Sequence, residues 1–301
     1  MTLHRDADVT SLDRLGPADL VETFGYLDRD PVLNVYLLAL TLRDALGQPR
    51  DEFWALRREG EIVGLLHLGG QSGAVLPLGE GADGLAMLAE HVRARLSFLP
   101  TRFQVIGPRA AVRAVVERLR RSETHPRLLR DQLYMALERG RLNPFDRLPE
   151  LRRACPDDFD LAYESGALLR AEELEEDPRL SDPFGYAKRV EEECRDGCTH
   201  LWRDDQGLCF RASVSALTPD AAQVSGVFTP PERRNLRLAR RGLSELCLRL
   251  LERSRSVCLF VNEFNTPAVA LYRRLGFTTL ADWGSAFYDT GPRPPGSRRS
   301  G

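Results

Sequence analysis

The sequence predicts an α+β protein made of two halves with a similar layout. In each half a short strand, a capped helix start and a helix are followed by a β-hairpin pattern. The second half then continues with a strand, a helix and another strand. The length of 301 residues suits two domains of ordinary size. Because residue identity between the halves is poor, the duplication rests on the shared order of elements.

Composition and charge exclude several protein classes. Hydrophobic residues make up 43% and charged residues 29%, which excludes a disordered tail protein and a collagen-like fibre. The net charge of -2 gives no general attraction to nucleic acid or anionic lipid, so we expect neither partner. No apolar run reaches the roughly 20 residues that cross a bilayer, and the first residues lack a signal peptide's apolar stretch. Six Cys without regular spacing favour a reduced, cytoplasmic protein.

The first half opens with a predicted strand over residues 9–15. Gly16 to Asp19 then form a capped helix start, and apolar residues follow at Leu20, Phe24 and Leu27. Residues 53–57 and 62–68 alternate around a Gly-containing turn, which predicts a hairpin.

The domain boundary is predicted between the two halves. Gly, Asn and two Pro follow a helical pattern in residues 140–149, so the division is expected as residues 1–145 and 146–290. The remaining tail, residues 291–301, holds three Pro, three Gly and three Arg and is predicted to be disordered.

The second half begins with a predicted strand over residues 151–154, a helix start at Pro156 to Asp158 and a hairpin over residues 199–203 and 208–214. A strand over 221–229 precedes a helix that is predicted from about Arg234. The helix is indicated by one apolar stripe of residues three or four apart: Leu236, Ala239, Leu243, Leu246, Cys247 and Leu250.

Three more elements complete the second half. A strand is predicted over 256–261, and with the strand before it this implies a right-handed crossover between parallel strands. A helix over 266–275 has Asn265 as its N-cap and Gly276 as a left-handed C-cap. The last strand is expected at about 285–289.

Residues 226–277 resemble the GNAT superfamily of acetyl-CoA-dependent N-acetyltransferases. The resemblance is carried by the segment from Gly226 to Glu232, by residues 234–239, and by the pattern VNxxNxxAxxLYxxxGF from Val261 to Phe277. It implies tandem GNAT-like domains, each a mixed, mostly antiparallel sheet flanked by helices, with a degenerate first half. The implied reaction moves an acetyl group from acetyl-CoA to a primary amine of a small molecule or peptide.

The resemblance also implies roles for particular residues. Tyr272 is expected to be the catalytic acid that protonates the leaving thiolate of coenzyme A, and no general base is assigned. The residues expected to bind the coenzyme are Val227, Phe228, Thr229, Arg234, Asn235, Leu236, Arg237, Leu238, Ala239, Asn262 and Asn265. A helix N-terminus placed after a strand binds pyrophosphate through its free N–H groups, which supports this placement independently. No metal is expected, because Cys194, Cys198 and His200 provide three ligands without a fourth.

The helix start departs from the family pattern. The pattern has Arg or Gln, two residues, Gly, one residue, and then Gly or Ala. Here Arg234 and Ala239 match, but Arg237 stands at the Gly position and Asn235 at a position where a second Gly is common. Glycine lets the backbone approach phosphate closely, so these residues keep an alternative open. In that alternative the chain is a non-catalytic GNAT-fold module for binding or structure that has lost productive acetyl-CoA binding.

An acidic run follows the first predicted helix of the second half. It consists of Glu172, Glu173, Glu175, Glu176 and Asp177. Such a run is typical of a solvated turn, and the other interpretation is that it attracts a cationic amine. The sequence leaves both interpretations open.

Overall fold

A computed structural model describes residues 10–43 and 45–291. The first residue of the predicted strand 9–15, and all but one residue of the predicted tail 291–301, lie outside the described residues. None of the helices in these two ranges is long and apolar enough to cross a membrane.

The described residues form twelve strands and nine α-helices. The strands are β1 (Thr10–Leu15), β2 (Asp51–Arg58), β3 (Glu61–Gly69), β4 (Ala74–Gly79), β5 (Arg102–Pro108), β6 (Leu128–Glu138), β7 (Arg152–Arg153), β8 (Thr199–Asp204), β9 (Gly207–Leu217), β10 (Ala221–Phe228), β11 (Ser256–Asn262) and β12 (Thr278–Asp289). The helices are α1 (Leu20–Leu27), α2 (Val35–Thr41), α3 (Ala82–Ala94), α4 (Arg109–Arg120), α5 (Phe159–Leu174), α6 (Pro178–Ser181), α7 (Pro183–Asp196), α8 (Leu238–Leu251) and α9 (Thr266–Leu275).

Two compact units share these elements. Among the described residues, the first unit contains 10–29, 40–43, 45–133 and 281–291, and the second contains 30–39 and 134–280. This division of contacts differs from the sequence-based boundary at 145/146. Each unit includes a strand from the far side of that boundary, because β12 lies mostly in the first unit and the end of β6 lies in the second.

The first unit has a mixed sheet in the order β1-β2-β3-β4-β5-β12. The pairs β1–β2, β2–β3, β3–β4 and β5–β12 are antiparallel, and β4–β5 is parallel. Its core joins this sheet to α3 and α4 through fully buried side chains such as Val75, Leu88, Val105 and Val115.

The second unit repeats this plan in the order β6-β11-β10-β9-β8-β7. The pairs β7–β8, β8–β9 and β9–β10 are antiparallel, and β10–β11 is parallel. One cluster of buried side chains packs α5 and α7 against β8, β9 and β10, with Leu169, Tyr186, Leu201 and Phe228 among its members. The predicted mixed, mostly antiparallel sheet flanked by helices is confirmed in both units.

The helix after β11 is confirmed at both ends. Asn265 accepts a hydrogen bond from the Ala268 amide at 3.2 Å, and α9 covers Thr266–Leu275. Gly276 ends it with φ 110°, a left-handed conformation that glycine adopts without strain. The two hairpins and the short strand near residue 152 are also present as predicted.

Three predicted elements were wrong in part. The helix expected from about Arg234 begins only at Leu238, and Leu236 of its predicted apolar stripe is 60% exposed. The last strand begins at Thr278, well before the expected residue 285. The pattern before residue 140 is strand β6, whose residues 134–137 are all buried, so they show no alternation that would distinguish a strand from a helix.

Candidate active site

The two parallel strands of the second unit separate along their length. Residues 221–223 of β10 pair with residues 256–258 of β11, and the pairing ends there. Both strands continue, to Phe228 and to Asn262, without further pairing to each other. The backbone groups that face each other in the second halves of these strands are therefore not paired with one another.

A bulge in β10 marks the point of separation. Its pairing with β9 shifts between Ser225 and Phe228, and Gly226 has a left-handed φ of 61°. The side chain of Leu169 lies near the space that a Cβ on Gly226 would occupy, at 3.6 Å. The C-terminal part of α5 therefore lies next to the bulge, and the bulge turns the Val227 backbone away from the β9 ladder.

The three predicted residues at the end of β10 have different environments. Val227 is half-buried, while Phe228 and Thr229 are buried. The Thr229 hydroxyl is buried and has no hydrogen-bond partner among the described residues. A buried hydroxyl without a partner is costly, so a ligand at this point would gain a hydrogen bond.

The loop from Arg234 to Arg237 has the backbone shape of a glycine-rich turn without containing glycine. Asn235 has φ 65° and Arg237 has φ 61°, whereas Arg234 is extended. Arg237 serves as the N-cap residue of α8 without a side-chain capping bond, and its carbonyl accepts the first helical hydrogen bond, from Arg241 at 3.1 Å. Asn235 and Arg237, which stand where the family pattern has glycine, therefore keep the left-handed turn. Their side chains are exposed to solvent.

Three amides lie at the start of α8 ahead of its first helical hydrogen bond. They belong to Leu238, Ala239 and Arg240, and no helical carbonyl accepts from them. Leu238 and Ala239 are half-buried and Leu236 is exposed. This end of the helix carries a partial positive charge that favours an anion.

The arginines around this helix start differ in their contacts. Arg233 is tied to Asp204 by two hydrogen bonds of 2.6 Å, and Arg241 donates to the Arg147 carbonyl at 2.9 Å. Arg237 and Arg240 are exposed and make no ion pair within the described part of the chain. The cluster is thus partly structural, and these two guanidinium groups add positive charge beside the free amides.

Arg234 is held by the end of α5. Its guanidinium donates to both oxygens of Glu172, at 2.6 and 2.7 Å, and its Nε donates to the Thr229 carbonyl at 3.1 Å. The same ion pair lowers the pKa of Glu172 and raises that of Arg234. Arg234 therefore connects the end of β10 to α5.

The corresponding helix start of the first unit has the opposite charge. There β4 leads into α3 with Gly81, φ 76°, as the N-cap residue, which sequence reasoning did not single out. Glu80 and Asp83 flank this start, whereas arginines flank that of α8. Carboxylates near free amides disfavour a phosphate, so the second unit is the better anion site.

Tyr272 lies on α9, one turn before its C-cap Gly276. Its side chain is 6% exposed and its ring is 5.8 Å from that of Phe277. No residue in the ranges 10–43 and 45–291 forms a hydrogen bond with its hydroxyl. Burial raises the pKa of Tyr272, as do the charges of Glu173 and Cys247, so the phenol keeps its proton. Asn265 caps α9, and Asn262 accepts a bond from the Asn265 amide at 2.9 Å through its carbonyl.

Two side chains of α5 were missed or left open by sequence reasoning. Glu173 was predicted only as part of an acidic run, and Arg170 was not considered. Burial raises the pKa of Glu173 to about 7, with a further contribution from the charge of Glu172 and an opposing one from Arg170. The charge pattern of one helix does not show such a pKa shift, because the shift depends on which groups the fold brings near the carboxyl.

A comparison with protein-family models matches residues 207–284 of this chain to the family described as FR47-like protein. The matched segment contains β9, β10, α8, β11 and α9, which are the elements that form the site. No curated protein matches the sequence.

Solved structures with the same fold cover almost the whole chain. A GCN5-related N-acetyltransferase from Sphaerobacter thermophilus shares 19% identity at a TM-score of 0.54, covering 93% of this chain and 96% of its own. A tandem GNAT protein from the clavulanic acid biosynthesis pathway shares 17% at a TM-score of 0.53, covering 95% and 100%. The chain has the GNAT fold that these structures share. A Drosophila protein has a higher TM-score of 0.62 at 14% identity, covering 95% of this chain and 100% of its own.

Together with the match over residues 207–284, these structures confirm the tandem GNAT fold that the sequence resemblance implies. At these identities they establish the fold alone and leave the roles of individual residues to the geometry described above. Within the described residues no three His, Cys, Asp or Glu side chains are grouped so that they would hold a metal ion.

Proposed function

We propose that the second unit transfers an acetyl group from acetyl-CoA to a primary amine. The observation that supports this most directly is the separation of β10 and β11 beside the start of α8, with the Tyr272 hydroxyl left without a protein partner. Acetyl-CoA supplies a thioester whose carbonyl carbon an amine attacks. The chain's own residues would bind, orient and move protons around that carbon.

The start of α8 would hold the pyrophosphate. The amides of Leu238, Ala239 and Arg240 point out of the helix end, and the unpaired guanidinium groups of Arg237 and Arg240 lie beside them. Backbone amides and guanidinium groups both donate to phosphate oxygens. Arg237 contributes charge at a position where glycine would contribute only close approach.

The end of β10 would hold the pantetheine arm and the thioester. This arm is neutral and rich in amides, so it suits backbone groups that have no strand partner. Thr229 offers a hydroxyl, and Val227 and Phe228 offer backbone groups next to the bulge. An amide N–H of Val227 or Phe228 would stabilise the negative oxygen that forms on the carbonyl during attack.

Tyr272 would supply the proton that the departing sulfur needs. Its phenol is neutral over the physiological pH range because burial raises its pKa. The proton on its Oη would pass to sulfur as the bond from carbon to sulfur breaks, when sulfur becomes most basic.

The alternative is a GNAT-fold module that has lost coenzyme binding, and the helix start tests it. Non-glycine residues at positions 235 and 237 argued for that alternative from sequence. In the structure both residues have the left-handed conformation of the glycines that they replace, and their side chains are exposed. This supports the enzyme over the module.

Calorimetric titration with acetyl-CoA, followed by an assay of thiol release with a panel of amines, tests the proposal. We expect micromolar binding, a raised melting temperature because the ligand binds only the folded state, and thiol release that depends on an amine. Absence of binding at millimolar acetyl-CoA would establish the non-catalytic module instead.

A further inference from the structure

A chain of hydrogen bonds links two strands of the second unit to a helix. Thr199 of β8 and Ser213 of β9 lie opposite each other, and their hydroxyl oxygens are 2.8 Å apart. The Thr199 hydroxyl also donates to a Glu193 oxygen on α7 at 3.1 Å. A cross-strand pair of Thr and Ser ordinarily stabilises only the sheet. Here the pair continues into a carboxylate, so the two hydroxyl groups connect the sheet to an acidic group.

The direction of these hydrogen bonds follows from the groups that form them. An ionised carboxylate only accepts hydrogen bonds, so the single hydroxyl hydrogen of Thr199 is used for Glu193. The Ser213 hydroxyl therefore donates to Thr199. No group in the described part of the chain donates to Ser213 Oγ, which keeps its lone pairs. All hydrogens of the chain thus point from Ser213 towards Glu193, and Ser213 Oγ is able to accept a further proton.

The chain starts at the β10 bulge. Ser213 pairs with Ser225 of β10, directly before the pairing shifts. Ser213 Oγ is 3.7 Å from the position that a Cβ on Gly226 would occupy, and Ser213 is half-buried. The next residue is Val227, whose amide is one of the two proposed to stabilise the negative oxygen. An amine that attacks a thioester held at the bulge would therefore lie near the Ser213 hydroxyl.

The other end of the chain reaches solvent. Thr199 is fully buried, whereas the Glu193 side chain is 41% exposed. The Glu193 oxygen that accepts from Thr199 is also 3.8 Å from Nη2 of the buried Arg211. Arg211 is itself fixed, because it donates to the Ala162 carbonyl at 2.9 Å. The carboxylate is therefore held at Thr199 and remains able to exchange protons with water.

We propose that Ser213, Thr199 and Glu193 form a proton relay that takes a proton from the ammonium group of the acceptor. The inference rests on the proposed acetyl transfer and names the route by which the acceptor nitrogen is deprotonated. Ser213 contacts the acceptor. Thr199 and Glu193 act through Ser213 and are positioning residues.

The relay moves protons along hydrogen bonds that already exist. An ammonium N–H bond breaks and its proton forms an O–H bond with Ser213 Oγ, while the original Ser213 proton passes to Thr199 and that of Thr199 passes to Glu193. The electron pair left on nitrogen attacks the thioester carbonyl carbon. The proton on Glu193 exchanges with water, so no other reactant is needed. The second proton that nitrogen loses as the amide forms leaves by the same route and balances the one that Tyr272 gives to sulfur.

Several titratable groups lie close enough to Glu193 to interact with its charge. They are Arg211 on β9, Arg170 on α5, and Tyr186 and Cys194 on α7. A variant of Glu193 itself would change the charge that all of them experience. Removing a hydroxyl from Ser213 or Thr199 interrupts the relay and leaves every one of these charges in place.

Removal of single hydroxyl groups therefore tests the relay. Thiol release is measured with n-butylamine, 2-phenylethylamine and putrescine as acceptors, and circular dichroism checks that each variant is folded. At pH 7 we expect kcat/KM for the amine to fall about 100-fold in Ser213→Ala and in Thr199→Val, within the usual contribution of general base catalysis. Thr199→Ser, which keeps a hydroxyl, should restore it to within about 3-fold. The matched control is Ser215→Ala on the same strand, whose hydroxyl bonds to Gln223 outside the relay.

The loss should also depend on pH. An alkylammonium group has a pKa of about 10, so the share of neutral amine rises about tenfold for each pH unit below that value. A neutral amine needs no relay before it attacks. The deficit of Ser213→Ala and Thr199→Val should therefore shrink from about 100-fold at pH 7 to a few-fold at pH 9. Calorimetry should give the same acetyl-CoA affinity in the parent protein and in both variants.

Three outcomes would overturn the relay and leave acetyl transfer in place. They are full activity in both hydroxyl variants, a deficit that is equal at pH 7 and pH 9, and a deficit that Thr199→Ser shares. If Thr199→Val does not fold, Ser213→Ala at its half-buried position decides the question. A parent protein that does not bind acetyl-CoA, or that binds it and releases no thiol with any of the amines, would instead refute the proposed function and the relay with it.

Discussion

Glu172 accepts hydrogen bonds from both terminal nitrogens of the Arg234 guanidinium, at 2.6 and 2.7 Å, just before the start of α8. Arg234 is the residue that the GNAT pattern assigns to the coenzyme. The carboxylate of Glu172 therefore occupies donors that a pyrophosphate would use, and it places a negative charge next to the proposed anion site. The proposed coenzyme binding would have to compete with this ion pair.

Removing that carboxylate should strengthen coenzyme binding. In Glu172→Gln the dissociation constant of acetyl-CoA should fall a few-fold, because Arg234 becomes free and a repulsive charge is lost. Calorimetry at two salt concentrations measures it. The control is Glu164→Gln, which removes a similar exposed ion pair, with Arg179, on the same helix. Weaker binding in Glu172→Gln alone would mean that Glu172 positions Arg234 for the ligand.

Tyr272→Phe should separate catalysis from binding. We expect kcat to fall by about 10²- to 10⁴-fold, the usual contribution of a general acid, with acetyl-CoA affinity nearly unchanged. Stability should change little, because the hydroxyl has no hydrogen bond to lose among the described residues. Tyr288→Phe is the matched control in the first unit, since that hydroxyl is also buried without a partner there. Equal kcat in both variants would make Tyr272 a packing residue.

The left-handed residue at position 237 allows charge and backbone to be tested separately. Arg237→Gly should raise the free energy of unfolding by about 1 kcal/mol, because glycine adopts φ near 61° without steric cost. Arg237→Ala keeps the cost of a Cβ and loses only the charge, so acetyl-CoA affinity should fall a few-fold with a shallower salt dependence. Urea unfolding and calorimetry measure the two effects. Binding gained by Arg237→Gly where the parent protein has none would show that Arg237 blocks the site.

Glu173 should make the stability of the protein depend on pH in a definite direction. Its folded-state pKa of about 7 lies above the ordinary carboxyl value of 4.5, so between these two pH values the folded state binds more protons than the unfolded state. Stability from this group is complete below about pH 4.5 and is lost as pH rises through about 7. The groups that act on it are Glu172 and Arg170 on its own helix and Tyr272 on α9.

The variant Glu173→Gln should remove this loss. Measured by urea unfolding at several pH values, its free energy of unfolding should rise relative to the parent protein between pH 4.5 and 7. Glu164→Gln should follow the parent protein. If the free energy of unfolding depends on pH in the same way in the parent protein and in Glu173→Gln, the Glu173 carboxyl is solvated and its pKa is not raised.

A fragment that begins near the sequence-based boundary tests whether the second unit needs the end of β6. A fragment of residues 148–291 lacks the part of β6 that belongs to the second unit, including Tyr134, whose hydroxyl lies 3.1 Å from Cys258 Sγ on β11. We expect this fragment to show no cooperative melting by circular dichroism, since the β11 edge is left bare. A fragment that melts like the parent protein would support the boundary at 145/146.

The elements that could be predicted from sequence are those with local signals. Asn265 and Gly276 delimit α9 to the residue, because capping depends on groups within one turn. The start of α8 was placed four residues early, since an exposed Leu236 and two left-handed non-glycine residues look like the beginning of a helix. The pairing of Glu172 with Arg234, and the position of Arg170 over the Tyr186 ring, depend on residues far apart in the chain. The assignment of β12 to the first unit and of the end of β6 to the second also depends on distant residues, so it has no local signal in the sequence.

The membership of β12 in the first unit affects how the protein is made. A ribosome delivers the chain from its first residue onward, and domains generally fold in that order. Here the edge of β5 waits for residues 283–289, which emerge after the whole of the second unit. The first unit therefore acquires this strand only after the second unit has been synthesised, so a chain from a ribosome that stalls before residue 283 leaves the β5 edge open.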